Sequence, residues 1–119
     1  MAFSKVKLDG RSLSIADLGR LAAAKALGVL PAGARKRMRE SRELVEKIAA
    51  EPRAVYGINT GFGPLSGTRV SNRDLEAHQR NLLHHLSVGQ GALFTALETR
   101  AIMAARINAL ARKKRTEGL

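Results

Sequence analysis

The sequence predicts a mainly α-helical chain with a short N-terminal strand and a glycine-rich loop near its middle. Three observations predict it. Ser14 with Asp17, Ser71 with Asp74 and Thr95 with Glu98 each place an acidic residue three positions after a hydroxyl, ahead of a stretch containing Leu and Ala. A hydroxyl so placed satisfies an orphan amide at a helix start. Between Ala34 and Ala50 apolar residues recur at spacings of three and four, the period of a half-buried helix. Gly57, Gly61, Gly63 and Pro64 then fall close together, which forbids a helix interior and favours a loop with unusual backbone angles.

Taken in order, Lys5-Val6-Lys7-Leu8-Asp9-Gly10 alternates charged and apolar residues before an Asp-Gly turn signal, as a short strand or extended arm would. The helix opened at Ser14 carries Leu18, Leu21 and Ala22 on one face and is expected to stop near Gly28, with Pro31 to Gly33 as a link. On the helix over Ala34–Ala50, Met38, Ser41, Val45 and Ile48 form the stripe, widened by Leu44, and Pro52 ends it. Glu43 and Lys47 stand four apart in the favourable order for an ion pair. A helix is expected from Ser71 to about Ser87, and another from Thr95 to about Lys113. The last is nearly apolar all round, with Leu97, Ile102, Met103, Ile107 and Leu110. Such a helix calls for burial on several sides, so a small free-standing domain would leave apolar surface uncovered.

Composition narrows the function classes. At 119 residues the chain suffices for one small domain, and with 45% hydrophobic but only 3% aromatic residues its interior is aliphatic. No Cys is present, which excludes disulfides and thiolate metal sites. Met1–Leu8 lacks the apolar run of a signal peptide, and the most apolar segment, Leu21–Leu30, is broken by Lys25 and too short to span a bilayer. A soluble, cytoplasmic protein is the expectation, with no membrane contact. The formal charge of +11 concentrates in Arg35-Lys36-Arg37 with Arg39 and in Arg112-Lys113-Lys114-Arg115. Such a surface attracts polyanions at low salt, but no aromatics are interleaved among the cations, so specific nucleic-acid binding is not expected.

The candidate functional residues lie on the glycine loop and the helix after it. Tyr56, the only Tyr, stands at the loop entrance beside Gly57. A polar ring on mobile backbone can be offered to a ligand, although a lone Tyr more often buries its ring and hydrogen-bonds its tip. All three His residues fall between Ser71 and Ser87. At about 100° per residue, Leu75, Gln79, Leu82 and Leu86 share one face, His78 and His85 lie on its flank and His84 points away. His78 and His85 are separated by roughly 10 Å along the axis, and no Cys or carboxylate cluster supplements them, so no metal site is expected.

Three separated blocks carry a resemblance: Val55-Tyr56-Gly57-Ile58-Asn59-Thr60-Gly61-Phe62-Gly63-Pro64, Gln79-Arg80-Asn81-Leu82-Leu83-His84-His85-Leu86, and Arg106-Ile107-Asn108-Ala109-Leu110-Ala111. In this order they resemble the N-terminal segment of the aromatic amino acid ammonia-lyases, the histidine, phenylalanine and tyrosine enzymes and the related aminomutases. The resemblance implies a helical ammonia-lyase N-terminal segment over residues 1–111, followed by a divergent basic tail over 112–119. It implies that Tyr56 is the catalytic acid–base group and that Gly63, His85 and Leu86 contact substrate. It also implies an aromatic amino acid substrate and a homotetramer whose sites draw on several subunits. A His-Leu pair at 85 and 86 resembles the tyrosine-selective members, whereas phenylalanine-selective members carry Phe-Leu and histidine-selective ones Ser-His.

The resemblance further implies a methylidene-imidazolone prosthetic group made from an internal Ala-Ser-Gly. This chain has no such triad; its Ser66-Gly67 follows Leu65. No cofactor is therefore expected in this chain, and the electrophile belongs to a complete family member. After Ala111, where the family continues with a Gly-x-Ser-Gly-like turn, the chain reads Arg112-Lys113-Lys114-Arg115-Thr116-Glu117-Gly118-Leu119, as a fragment, a truncated gene or a shifted reading frame would. Lyase activity is not expected from this polypeptide alone. Two other readings stay open: a non-catalytic fragment that docks onto full-length lyase subunits, and a basic nucleic-acid-binding module.

Overall fold

The computed structural model describes residues 3–112; most of the basic tail expected over 112–119 lies outside them. The described chain runs β1 (Ser4–Lys7), α1 (Ile15–Ala22), β2 (Ala26–Val29), α2 (Ala32–Ala50), a single 3-10 turn (Gly63–Leu65), α3 (Leu75–Leu86) and α4 (Ala96–Leu110). The mainly helical class with an N-terminal strand and a glycine loop is what the structure shows. The chain divides into two compact units: one holds the segments up to Ser41 and from Ala92 onward, the other Arg42–Gly91.

In the first unit β1 pairs in parallel with β2, Ser4 opposite Ala26 and Val6 opposite Gly28. The second strand is a correction, because the sequence placed Ala26–Val29 at the end of a helix. The cause lies at Ala24, which adopts φ 56°. The Ala24 amide donates to the Leu21 carbonyl at 3.0 Å and the Lys25 amide to the Arg20 carbonyl at 2.9 Å, the paired bonds of a left-handed helix stop that usually carries Gly. With Ala in that place the stop gave no signal, and the four residues after it were free to pair with β1.

The start of α1 is as expected. The Ser14 hydroxyl accepts from the Asp17 amide at 3.1 Å and donates to the Asp17 carboxylate at 2.9 Å. The Arg20 guanidinium pairs with the same carboxylate; that hydrogen bond, with the one from Ser14, holds Asp17 below the usual carboxylate range. Val6, Leu8, Leu21, Ala26 and Ala104 form the core of this unit, with Leu13, Leu18 and Leu30 against it. Burial of these aliphatic groups is the main force holding the unit together.

Polar side chains tie the unit's ends. Asn108 accepts the Gly10 amide at 2.9 Å, and Arg37 donates to the Asp9 carbonyl at 2.8 Å and the Ala111 carbonyl at 3.3 Å. The Asp9 side chain receives the amides of Arg11 and Ser12 and the Ser12 hydroxyl, each at 2.8 Å. These hydrogen bonds, the Ser12 amide foremost, lower its pKa from 3.8 to about 2. Thr95 and Glu98 form the complete capping box expected at the start of α4. The Thr95 amide and hydroxyl both donate to Glu98, which holds that carboxylate below its usual range. The helix ends at Leu110, three residues short of Lys113. Leu97, Ile102, Met103 and Leu110 along it are exposed, as its all-round apolar character led one to expect.

α2 starts at Ala32, so Ala32 and Gly33 belong to the helix rather than to a link; the Pro31 carbonyl accepts the Arg35 amide at 3.1 Å. Its second half belongs to the other unit and buries Ile48, with Leu44 and Val45 half-buried, as the stripe predicts. Met38 and Ser41 are exposed. Arg42 pairs with Glu46 at 2.8 Å rather than Glu43 with Lys47. Before α3, the Ser71 hydroxyl donates to Asp74 at 2.5 Å and the Asp74 amide to the Ser71 carbonyl at 2.9 Å. The pair therefore closes a turn, and the helix begins only at Leu75. No helix among the described residues is long and apolar enough to cross a membrane.

Candidate functional site

The glycine loop is anchored by Asn59, which is 0% exposed. Its side-chain oxygen accepts the Val55 amide at 2.7 Å. Its side-chain nitrogen donates to the Arg53 carbonyl at 2.9 Å and to the Ile48 carbonyl, in the last turn of α2, at 3.4 Å. Asn can do this because its amide offers donors and acceptors together. Thr60, also buried, donates its hydroxyl to the Gly61 carbonyl at 2.9 Å. The Gly61 amide donates to the Thr68 carbonyl at 2.9 Å and the Val70 amide to the Asn59 carbonyl at 2.8 Å, around an antiparallel bridge between Thr60 and Arg69. The loop is thus closed on itself and fixed at its base.

Two glycines do different work in it. Gly57 has φ 78°, a left-handed conformation that side chains rarely adopt, and it turns the chain just after Tyr56. Gly61 is required by close approach, since a Cβ there would lie 2.7 Å from Leu65 Cβ and 2.8 Å from the Leu65 carbonyl oxygen.

Tyr56 is 63% exposed, so its ring is not plugged into a core, the commoner use of a lone Tyr. With Ala54, Gly63, Ser66 and Gly67 it lines an open depression of about 510 Å³. The structure thereby brings together two of the residues singled out from the sequence, Tyr56 and Gly63. It does not add the other two. His85 and Leu86 stand exposed on the last turn of α3 and line neither this depression nor the cavity of about 600 Å³ formed by Arg42, Glu46, Gly57, Asn72, Glu76 and Gln79.

The sequence missed Phe62 and the place of His78. Tyr56 meets Phe62 edge to face, ring centres 6.2 Å apart and planes at 76°. Phe62 in turn stacks on His78, 5.2 Å apart with planes at 8°. His78 therefore lies on the inner side of α3 with Leu75 and Leu82, all half-buried, and not on a polar flank. Among the described residues, its Nε2 is buried without a hydrogen-bond partner. The spacing of 75, 78 and 82 was a legible signal for this face.

What the arrangement can do chemically is present a phenol, unshielded, at the lip of an open depression beside glycine backbone. A phenol there can both donate and accept a hydrogen bond. The described residues contain no group of three His, Asp or Glu placed to hold a metal ion. The whole chain contains no Ala-Ser-Gly, so its residues do not fit a methylidene-imidazolone group formed within it.

The family described as aromatic amino acid lyase matches residues 13–114. The histidine ammonia-lyase of Anaeromyxobacter dehalogenans is 41% identical over 105 residues, covering 88% of this chain and 21% of that protein. That of Caldanaerobacter subterraneus is 42% identical over 108 residues, 91% of this chain and 21% of that protein. The crystal structure of tyrosine aminomutase from Streptomyces globisporus superposes with a TM-score of 0.86 at 36% identity, covering 92% of this chain and 21% of that one. Ergothionase, an ergothioneine-degrading enzyme from Treponema denticola, superposes with a TM-score of 0.85 at 26% identity, over 91% of this chain and 22% of that one. The chain spans about a fifth of the length of the relatives it matches. It belongs to the aromatic amino acid lyase family.

Proposed function

We propose that this chain supplies the N-terminal part of an ammonia-lyase acting on an aromatic L-amino acid, with tyrosine the favoured substrate and coumarate the product. The observation that carries the reading is Tyr56, exposed on a loop whose base is locked by Asn59 and whose rim is open glycine backbone. In the elimination the Tyr56 phenolate takes the β-proton of the substrate. The electrons of that C–H bond become the new carbon–carbon double bond, and the amine, leaving in its protonated ammonium form, takes the electrons of the carbon–nitrogen bond and departs as ammonia. A β-proton is barely acidic, so the base must be positioned against it. In a complete family member a methylidene-imidazolone would supply the electrophile. With no Ala-Ser-Gly in this chain, that group would have to be supplied by other polypeptide, as would the rest of the pocket.

The preference for tyrosine rests on His85 and Leu86. An imidazole that hydrogen-bonds a phenolic hydroxyl rejects a ring lacking one, because its own polar atom is then left unpaired. A specific observation favours a second substrate: the curated relatives named above are histidine ammonia-lyases, and the solved relative on the tyrosine side is an aminomutase. Ammonia and conjugated-acid release should be assayed first with the chain alone. The same assay then uses a chimera in which residues 1–111 replace the matching fifth of the Anaeromyxobacter enzyme. Product from the chimera and none from the chain alone supports the reading. A chimera that folds and assembles but releases nothing from tyrosine, phenylalanine or histidine contradicts it.

A further inference from the structure

We infer that His78 is a positioning residue for Tyr56, acting through Phe62. Three rings from two elements form one continuous set: Tyr56 and Phe62 from the loop, and His78 from α3. The imidazole lies flat on Phe62, with planes 8° apart and centres at 5.2 Å. Phe62 presents itself edge to face to Tyr56 at 6.2 Å and 76°. Offset-stacked and edge-to-face contacts are the geometries that the charge distribution of aromatic rings favours, and each fixes the orientation of the next ring in line.

Among the described residues, His78 Nε2 is buried without a hydrogen-bond partner. That nitrogen does not hold the imidazole in place, so the flat contact with Phe62 is what the ring supplies. Leu in its place would avoid the buried polar atom but offers no plane. Asn59 fixes only the loop's base, and Gly57 leaves the backbone beside Tyr56 in a left-handed turn with open space around it. The side-chain orientation of a 63% exposed phenol therefore depends on the ring it leans on. Phe62 keeps that place because His78 backs it.

This role builds on the reading of Tyr56 as the proton-transfer group, but its test does not. Tyr56 is the only Tyr and there is no Trp, so 3-fluorotyrosine incorporated into the full chain gives one fluorine resonance that reports this ring alone. The wild-type chain should show a resonance displaced from free 3-fluorotyrosine and a nuclear Overhauser contact between Tyr56 and Phe62. His78→Phe keeps a flat ring and should preserve both. His78→Leu should lose the contact and move the resonance to the free position, with circular dichroism unchanged. Should the Leu variant not fold, His78→Met, also without a plane, gives the same reading. The inference is overturned if Leu or Met preserves the wild-type signals, or if Phe loses them as Leu does. Either result leaves the elimination assay of the chimera untouched.

Discussion

The side-chain amide of Asn59, itself wholly buried, donates to the backbone carbonyl of Arg53 at 2.9 Å. One residue thereby ties the end of α2, the entrance of the loop and the strand-like return at Val70 into a single unit. Tyr56 stands three residues along the chain from that anchorage. Asn59→Ala would leave the Val55 amide and the Arg53 carbonyl without their side-chain partner and should destabilise the chain by about 2 kcal/mol, read from urea unfolding. Asn59→Asp keeps the acceptor for Val55 but sets a carboxylate against two carbonyl oxygens. It should cost more at neutral pH than in acid, where the carboxyl regains a proton to donate.

Gly61 and Gly67 form a matched pair. Gly61→Ala forces a Cβ against the Leu65 carbonyl and should lower stability by about 1–3 kcal/mol. Gly67→Ala meets nothing within 4 Å, and its effect should stay within about 0.5 kcal/mol. Thermal or urea midpoints of the two variants check the contrast.

Ala24 holds a left-handed conformation at φ 56° to end α1. Replacing it by Gly removes the steric cost of a Cβ there and returns part of the gain as extra freedom in the unfolded chain. Ala24→Gly should therefore stabilise by about 0.5–1 kcal/mol, seen as a raised midpoint. A lowered one would contradict the assigned helix stop.

Three carboxylates are held below their usual range in the folded chain: Asp9 by the Ser12 and Arg11 amides, Asp17 by Arg20, and Glu98 by Thr95. In acid the folded state consequently binds fewer protons than the unfolded one. Their stabilisation is complete above the ordinary carboxylate range and is lost as pH falls through the lowered values, for Asp9 from 3.8 toward about 2. The unfolding midpoint should fall from about pH 5 to about pH 2, and less steeply in Asp9→Asn.

If His85 reads a phenolic hydroxyl, His85→Phe in the chimera should shift the ratio of turnover from tyrosine toward phenylalanine by about tenfold or more. Steady-state rates with the two substrates decide it. An unchanged ratio removes His85 from specificity.

Local signals were legible and distant ones were not. Ser14 with Asp17 and Thr95 with Glu98 act within one helical turn, and both caps form as read. Ser71 with Asp74 is the same local pattern, but it closes a turn ahead of α3, because a hydroxyl and a carboxylate three apart serve either structure. β2 was missed because Ala24 stands where Gly marks a helix stop, and because its parallel partner lies over twenty residues back. The burial of Asn59 depends on carbonyls of Ile48 and Arg53, and the stack of Phe62 on His78 joins a loop to a helix. Neither can be seen in a pattern of residue types. Tyr56 stood out as a lone Tyr on glycine-rich chain, but its assignment to proton transfer came from the family resemblance and not from spacing.

The Tyr56 hydroxyl is the group proposed to move the β-proton. The direct measurement compares ammonia release by the chimera carrying residues 1–111 with the same chimera carrying Tyr56→Phe, under saturating tyrosine. Loss of a positioned acid–base group should lower kcat by about 10²–10⁴-fold with the assembly intact. A Tyr56→Phe chimera that turns over as fast as its parent would contradict the account.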